Sequence, residues 1–132
     1  MLTRLSWTGK AKLNAQNNIN LQTISAVPNL IRVGCTTLET RQEALDLGRK
    51  LVALDLVACA QVVGPVTSVY RWEGKIEESE EWELRLKYSR QNEDGLRRHI
   101  GEKHPYDEPQ WVSWEADASA GYAKWVTRKS KR

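Results

Sequence analysis

The sequence predicts one α+β domain, and three observations carry that expectation. The chain has 132 residues, 40% of them apolar and 28% charged, which suits a single core of ordinary size. Extended and helical patterns follow one another in the order β-α-β-β-α-β, with a short helix at the end. The two central extended stretches are long and meet at Glu73–Gly74, a hairpin signal. An alternating order with a central hairpin is the split βαβ, ferredoxin-like arrangement.

The elements follow from local patterns. Residues 1–28 include "NAQNNINLQ", show no apolar period and read as a disordered extension rather than an organelle presequence, because Arg is scarce and no apolar h-region occurs. The domain is expected over residues 29–128, with a basic tail at 129–132. After Pro28, "LIRVGCT" reads as a strand. Thr40 with Glu43 three residues on forms a capping box for a helix running to about Val57. Ala44, Leu45, Gly48, Leu51, Val52 and Asp55 map one face of that helix. Leu47, Leu54 and Leu56 widen the face, so the helix is expected mostly buried.

"ACAQVVGPVTSVYRW" is extended, with a bulge or bend expected at Gly64–Pro65 because proline is confined to edges and irregularities of a sheet. In "EWELRLKY", Trp82, Leu84, Leu86 and Tyr88 alternate with charged residues, so one face is buried and the other wet. Ser89 is placed to cap a second helix with Leu96 and Ile100 inward. "QWVSWEA" is the last strand, and "ASAGYAKWVTR" carries the terminal helix.

One length has a consequence for assembly. Cys59 to Trp72 is 14 residues, about 46 Å when extended at ~3.3 Å per residue. A domain of this size is only about 35 Å across. The hairpin is therefore expected to overhang its own domain, and its unpaired edges to meet another copy of the chain.

Composition excludes several function classes. All 17 acidic residues lie between Glu39 and Asp117, while seven of the 20 basic ones lie at the ends; the 13 basic residues left in the body leave it at −4. Such a body is unsuited to nucleic acid, which demands a concentrated basic face. The most apolar stretch, "LVALDLVACAQVV", is shorter than the ~20 apolar residues of a membrane span and holds Asp55 and Gln61. Two cysteines, Cys35 and Cys59, without a secretory signal favour reduced thiols in the cytoplasm. Cys59 reads as structural.

"KHPYDEP" (Lys103 to Pro109) is the densest chemistry in the chain. Pro105 disfavours the helical region at His104 and offers no N–H, so this dipeptide ends the second helix whatever else it does. "EESEEWE" is charge-dense but lacks calcium-loop spacing and reads as a solvated strand face. A Cys–His pair without a third orienting group, a phosphate-cradling glycine motif or H-E-x-x-H gives no support to catalysis.

Taken together, "VACAQVVGPVTSVYRWEGKIEESEEWELRLK" and the later "HPYDEP" resemble the CutA divalent-cation-tolerance family over about residues 29–128. The resemblance implies a homotrimer of ferredoxin-like subunits whose long hairpins pair between neighbours. It also implies binding of copper and other divalent cations such as zinc, a non-catalytic part in metal tolerance, and Cys35 and His104 as metal ligands. Family members with described metal contacts use two adjacent histidines before "PY"; here Lys103 takes the first place, and Gln110 replaces a glutamate usual after the second proline. Thiolate and imidazole together suit Cu or Zn, yet two ligands leave the site open. The trimer resembles the PII signalling proteins, so the alternative is a signalling module whose clefts between subunits bind a small anionic ligand or present a protein surface, with Trp72, Lys75, Tyr106, Asp107 and Glu108 at the cleft.

Overall fold

The computed structural model describes residues 29–128; the extension expected at 1–28 and the tail expected at 129–132 lie outside them. Strand β1 (Leu30–Leu38) leads to helix α1 (Arg41–Ala53), and the hairpin β2 (Cys59–Trp72) and β3 (Lys75–Tyr88) follows. A 3₁₀ turn (Arg90–Asn92) precedes helix α2 (Glu93–Lys103), and strand β4 (Val112–Asp117) and helix α3 (Ala120–Thr127) close the order. The sheet runs β2-β3-β1-β4 with antiparallel neighbours. This is an α+β, ferredoxin-like fold, as the element order predicts.

Strand alternation separates two cores. One face joins Leu38, Leu84, Leu86 and Tyr88 to Ala44 and Leu51 of α1 and Leu96 and Ile100 of α2. The opposite face joins Ile31 and Val33 to Ala58, Ala123 and Val126, so α3 covers the other side of the sheet. Beyond the end of α3 that second face stays open, with Val112 and Trp114 exposed.

Helix α1 carries the expected capping box: Thr40 Oγ1 accepts from the Glu43 N–H at 3.1 Å and Glu43 Oε1 accepts from the Thr40 N–H at 3.3 Å. It ends at Ala53, not Val57. Asp55 adopts φ 60°, and the N–H groups of Asp55 and Leu56 turn back to the carbonyls of Val52 and Leu51. This is a Schellman closure with Asp where glycine is usual. Val52 and Leu54 are exposed, against expectation, because the sheet beneath α1 ends at β2. Ser89 caps the 3₁₀ turn without a side-chain bond, and α2 begins only at Glu93.

The hairpin does overhang. Strand β1 pairs with β3 only from Trp82 to Tyr88, so Lys75 to Glu81 meet β2 alone. The register slips between Val63 and Val66, around Gly64–Pro65. At the tip both Glu73 and Gly74 have positive φ, the two-residue turn that matches strand twist.

Glu93 ties the far side together. Its carboxylate accepts from Arg97 Nε at 2.7 Å, Ser113 Oγ at 3.1 Å, Trp111 Nε1 at 3.2 Å, Arg32 Nε at 3.3 Å and the Tyr88 hydroxyl. Burial alone would raise its pKa; the donors from Arg97, Tyr88, Trp111 and Ser113 outweigh that and hold it at about 2. The same carboxylate anchors Trp111 over Gly34, which fixes the approach of the segment that follows His104.

Candidate functional site

A groove of about 980 Å³ runs along the open side of the overhanging hairpin, bounded by the end of β1 and the segment after His104. The hairpin register builds one wall. Tyr70 pairs with Glu77, Ser68 with Ser79 and Val66 with Glu81, so alternate residues of β2 and β3 share one face. Glu77, Ser79, Glu81, Ser68, Tyr70 and Trp72 reach the groove from there. Thr37 and Glu39 enter from β1 and its exit, and Tyr106, Glu108 and Gln110 form the opposite wall.

Five carboxylates line this space, from Glu39, Glu77, Glu80, Glu81 and Glu108, and no lysine or arginine is among the lining residues. Glu81 is held in place: it accepts from Ser68 Oγ at 2.6 Å and from the Tyr106 hydroxyl at 2.8 Å. Burial, reinforced by Glu81, pushes the Tyr106 phenol well above its ordinary pKa, so it stays a donor. Tyr106 thereby bridges the two walls.

His104 lies directly behind Tyr106 and is 7% exposed. Its Nε2 meets the Thr37 carbonyl at 3.0 Å, and its Nδ1 accepts the Tyr106 N–H at 3.0 Å. A carbonyl acceptor on one side and an N–H donor on the other define the neutral ring protonated at Nε2. Burial lowers its pKa, partly opposed by the Thr37 bond and by Glu43 and Glu81. Both ring nitrogens are thus engaged with residues that line the groove.

Cys35 points to the same sheet face as Thr37 and is 5% exposed. Its neighbours are Glu83 and Arg85, themselves paired at 2.8 Å. Burial, then the Glu83 charge and hydrogen bond, raise the Cys35 pKa, so the thiol is protonated at neutral pH. Cys35 and His104 have no bonding partner in common. Among the described residues no three His, Cys, Asp or Glu side chains converge as a metal cluster.

Of the cleft residues that the sequence suggests, Trp72, Tyr106 and Glu108 line the groove, whereas Lys75 and Asp107 are not in its walls. Gln110 does line it, and Lys103 sits at the end of α2. Sequence reasoning missed Thr37, Glu39, Tyr70, Glu77, Glu80 and Glu81. The signal was present for Glu77 and Glu81, which share strand parity in "EESEEWE"; reading the run as a solvated face did not anticipate that this part of the hairpin, beyond the end of β1, is one wall of a groove.

The sequence pattern of one protein family, CutA1 divalent ion tolerance protein, matches residues 32–129. A divalent-cation tolerance protein CutA from Citrobacter koseri is 36% identical over 91 residues, covering 69% of this chain and 77% of that protein. A CutA homolog from Xenopus laevis is 34% identical over 84 residues; the match takes in 63% of this chain and only 56% of that protein's length. Among solved structures, the divalent ion tolerance protein CutA1 of Ehrlichia chaffeensis superposes with TM-score 0.71 at 30% identity, over 73% of this chain and 91% of that one. The PII-like protein CutA from Nostoc sp. PCC 7120 superposes with TM-score 0.68 at 31% identity, over 73% and 93%.

Proposed function

The chain belongs to the CutA1 divalent ion tolerance protein family, and from that premise we propose that it binds copper and related divalent cations as a non-catalytic cytoplasmic homotrimer contributing to metal tolerance. The observation that carries this reading is the sign of the groove: five carboxylates without a cationic side chain among the lining residues concentrate cations and repel anions. Cys35 and His104 are the candidate soft and borderline donors. Loading either one costs something. The Cys35 thiol releases its proton, and His104 gives up its bond to Thr37 or to Tyr106. Affinity therefore rises with pH, and water or a neighbouring copy supplies the remaining ligands.

Titration of the wild type, Cys35→Ser, His104→Ala and the double variant with Cu(II), Cu(I) and Zn(II) tests this. Wild-type affinity no greater than that of the double variant rejects the metal assignment.

A second reading, a PII-like module taking a small ligand between subunits, draws on the likeness to the Nostoc protein. The acidity of the groove turns that reading toward a cationic ligand rather than an anionic one.

A further inference from the structure

We propose that Tyr106 is a gate on His104, held shut by the root of the hairpin, so that access to the imidazole depends on how the hairpin is seated. The inference rests on the metal reading and adds a control to it. Nε2–H of His104 donates to the Thr37 carbonyl of β1 at 3.0 Å, which leaves the ring's lone pair at Nδ1. Metal-binding histidines fix their second N–H in this way, on a backbone carbonyl. Here the lone pair is already taken, because Nδ1 accepts the Tyr106 N–H at 3.0 Å. A metal ion reaches the ring only when that N–H moves away.

The stretch that carries Tyr106 is built to move. Residues 105–110 lie between α2 and β4, outside helix and sheet. Among the described residues, Tyr106 makes every hydrogen bond of that stretch: its N–H to His104 and its hydroxyl to Glu81 Oε2 at 2.8 Å. The ends are fixed, one by the last turn of α2 and the other by Trp111, whose Nε1 donates to Glu93 at 3.2 Å. The result is a strap pinned at one residue.

The hydroxyl pin stands on the hairpin. Glu81 is the last residue of β3 before pairing with β1 begins at Trp82, and it lies opposite Val66, at the register slip. Ser68 Oγ donates to its other oxygen at 2.6 Å, so both carboxylate oxygens are occupied and aimed. A hydrogen bond to a carboxylate is stronger than one between neutral groups, and this one holds the Tyr106 N–H on the imidazole. Displacing the hairpin root displaces Glu81 and loosens the strap. The same contact works in reverse, since coupling between two sites is reciprocal.

The test is calorimetric titration of the full chain with Zn(II), comparing the wild type with Tyr106→Phe and His104→Ala. Loss of the hydroxyl frees the strap and raises the fraction of chains with Nδ1 open, so Tyr106→Phe should bind zinc about fivefold more tightly. A phenol that served the fold alone would leave zinc affinity unmoved. In the wild type, zinc should also speed amide exchange at Tyr106 about tenfold, with no such effect in His104→Ala. Light scattering checks assembly; should Tyr106→Phe alter it, the exchange measurement on the wild type decides. Unchanged or weaker zinc binding by an assembled Tyr106→Phe overturns the gate, and so does Tyr106 exchange that is indifferent to zinc. A wild type that binds zinc no better than His104→Ala rejects the metal reading and the gate with it. Binding through His104 without the gain in Tyr106→Phe rejects the gate alone.

Discussion

The backbone N–H of Tyr106 donates to Nδ1 of His104 at 3.0 Å, while the other ring nitrogen meets the Thr37 carbonyl at the same distance. The histidine that ends α2 is thus a joint between the last turn of that helix, the end of β1 and the wall of the groove. Ring and phenol of the two residues also meet edge-on, 4.8 Å between centroids.

His104→Ala should cost about 2–3 kcal/mol, because it strands a carbonyl and an N–H in a buried place. Urea unfolding measures it. The same ring predicts a pH dependence. Its folded pKa is depressed, so the stability that it contributes is complete above the ordinary value of 6.5 and is lost as pH falls below it toward the folded pKa. Ring-nitrogen NMR on the wild type should show protonation at Nε2 at neutral pH; the opposite tautomer contradicts the geometry.

Acid should expose the Glu93 hub separately. Its pKa falls from an ordinary 4.5 to about 2, which corresponds to about 3 kcal/mol present above pH ~5 and lost as pH drops toward 2. Glu93→Gln should flatten that acid limb and lower neutral-pH stability by a similar amount. A variant with the wild-type acid profile would show that the five donors do not act on folding.

Gly34→Ala should destabilise by about 1–3 kcal/mol through overpacking. Its new Cβ would stand 2.8 Å from Cζ2 of Trp111 and closer still to the ring's outer edge. Displaced from Glu93, Trp111 should also change its fluorescence. The double change Gly34→Ala with Trp111→Leu should recover part of the loss, since a smaller side chain relieves the clash.

Self-association should give a mass about three times the 15.1 kDa of one chain in light scattering at micromolar concentration. The overhanging hairpin carries Val69, Trp72 and Ile76 at 62%, 61% and 69% exposure. Burying these apolar side chains against another copy provides the drive. Ile76→Glu should lower the mass; a wild-type monomer would remove the proposed assembly.

Much of the fold was legible because strand and helix periods are local. The alternation of Leu84, Leu86 and Tyr88, the Thr40–Glu43 box and the 14-residue span ending at Trp72 all reappear in the structure. Helix boundaries were less legible. Asp55 closes α1 in a conformation that glycine usually supplies, and Ser89 looks like a helix cap but precedes a 3₁₀ turn.

The site was legible only in part. Residues in one short motif, such as His104, Tyr106 and Glu108, stand out by composition, and the resemblance of "SVYRWEGKI" and "HPY" to known proteins pointed to the family. Thr37, Glu39 and Tyr70 carry no local mark; they line one groove because the hairpin extends past the end of β1.

The sequence by itself determined the order of elements, the hairpin's length, the family and the charge available to the body, since each is written in consecutive residues. Tertiary structure alone decided that both His104 nitrogens are engaged, that Cys35 sits between Glu83 and Arg85, and that five scattered glutamates share one groove. Those relationships depend on strand register and on which elements cross, and distance along the chain does not encode either.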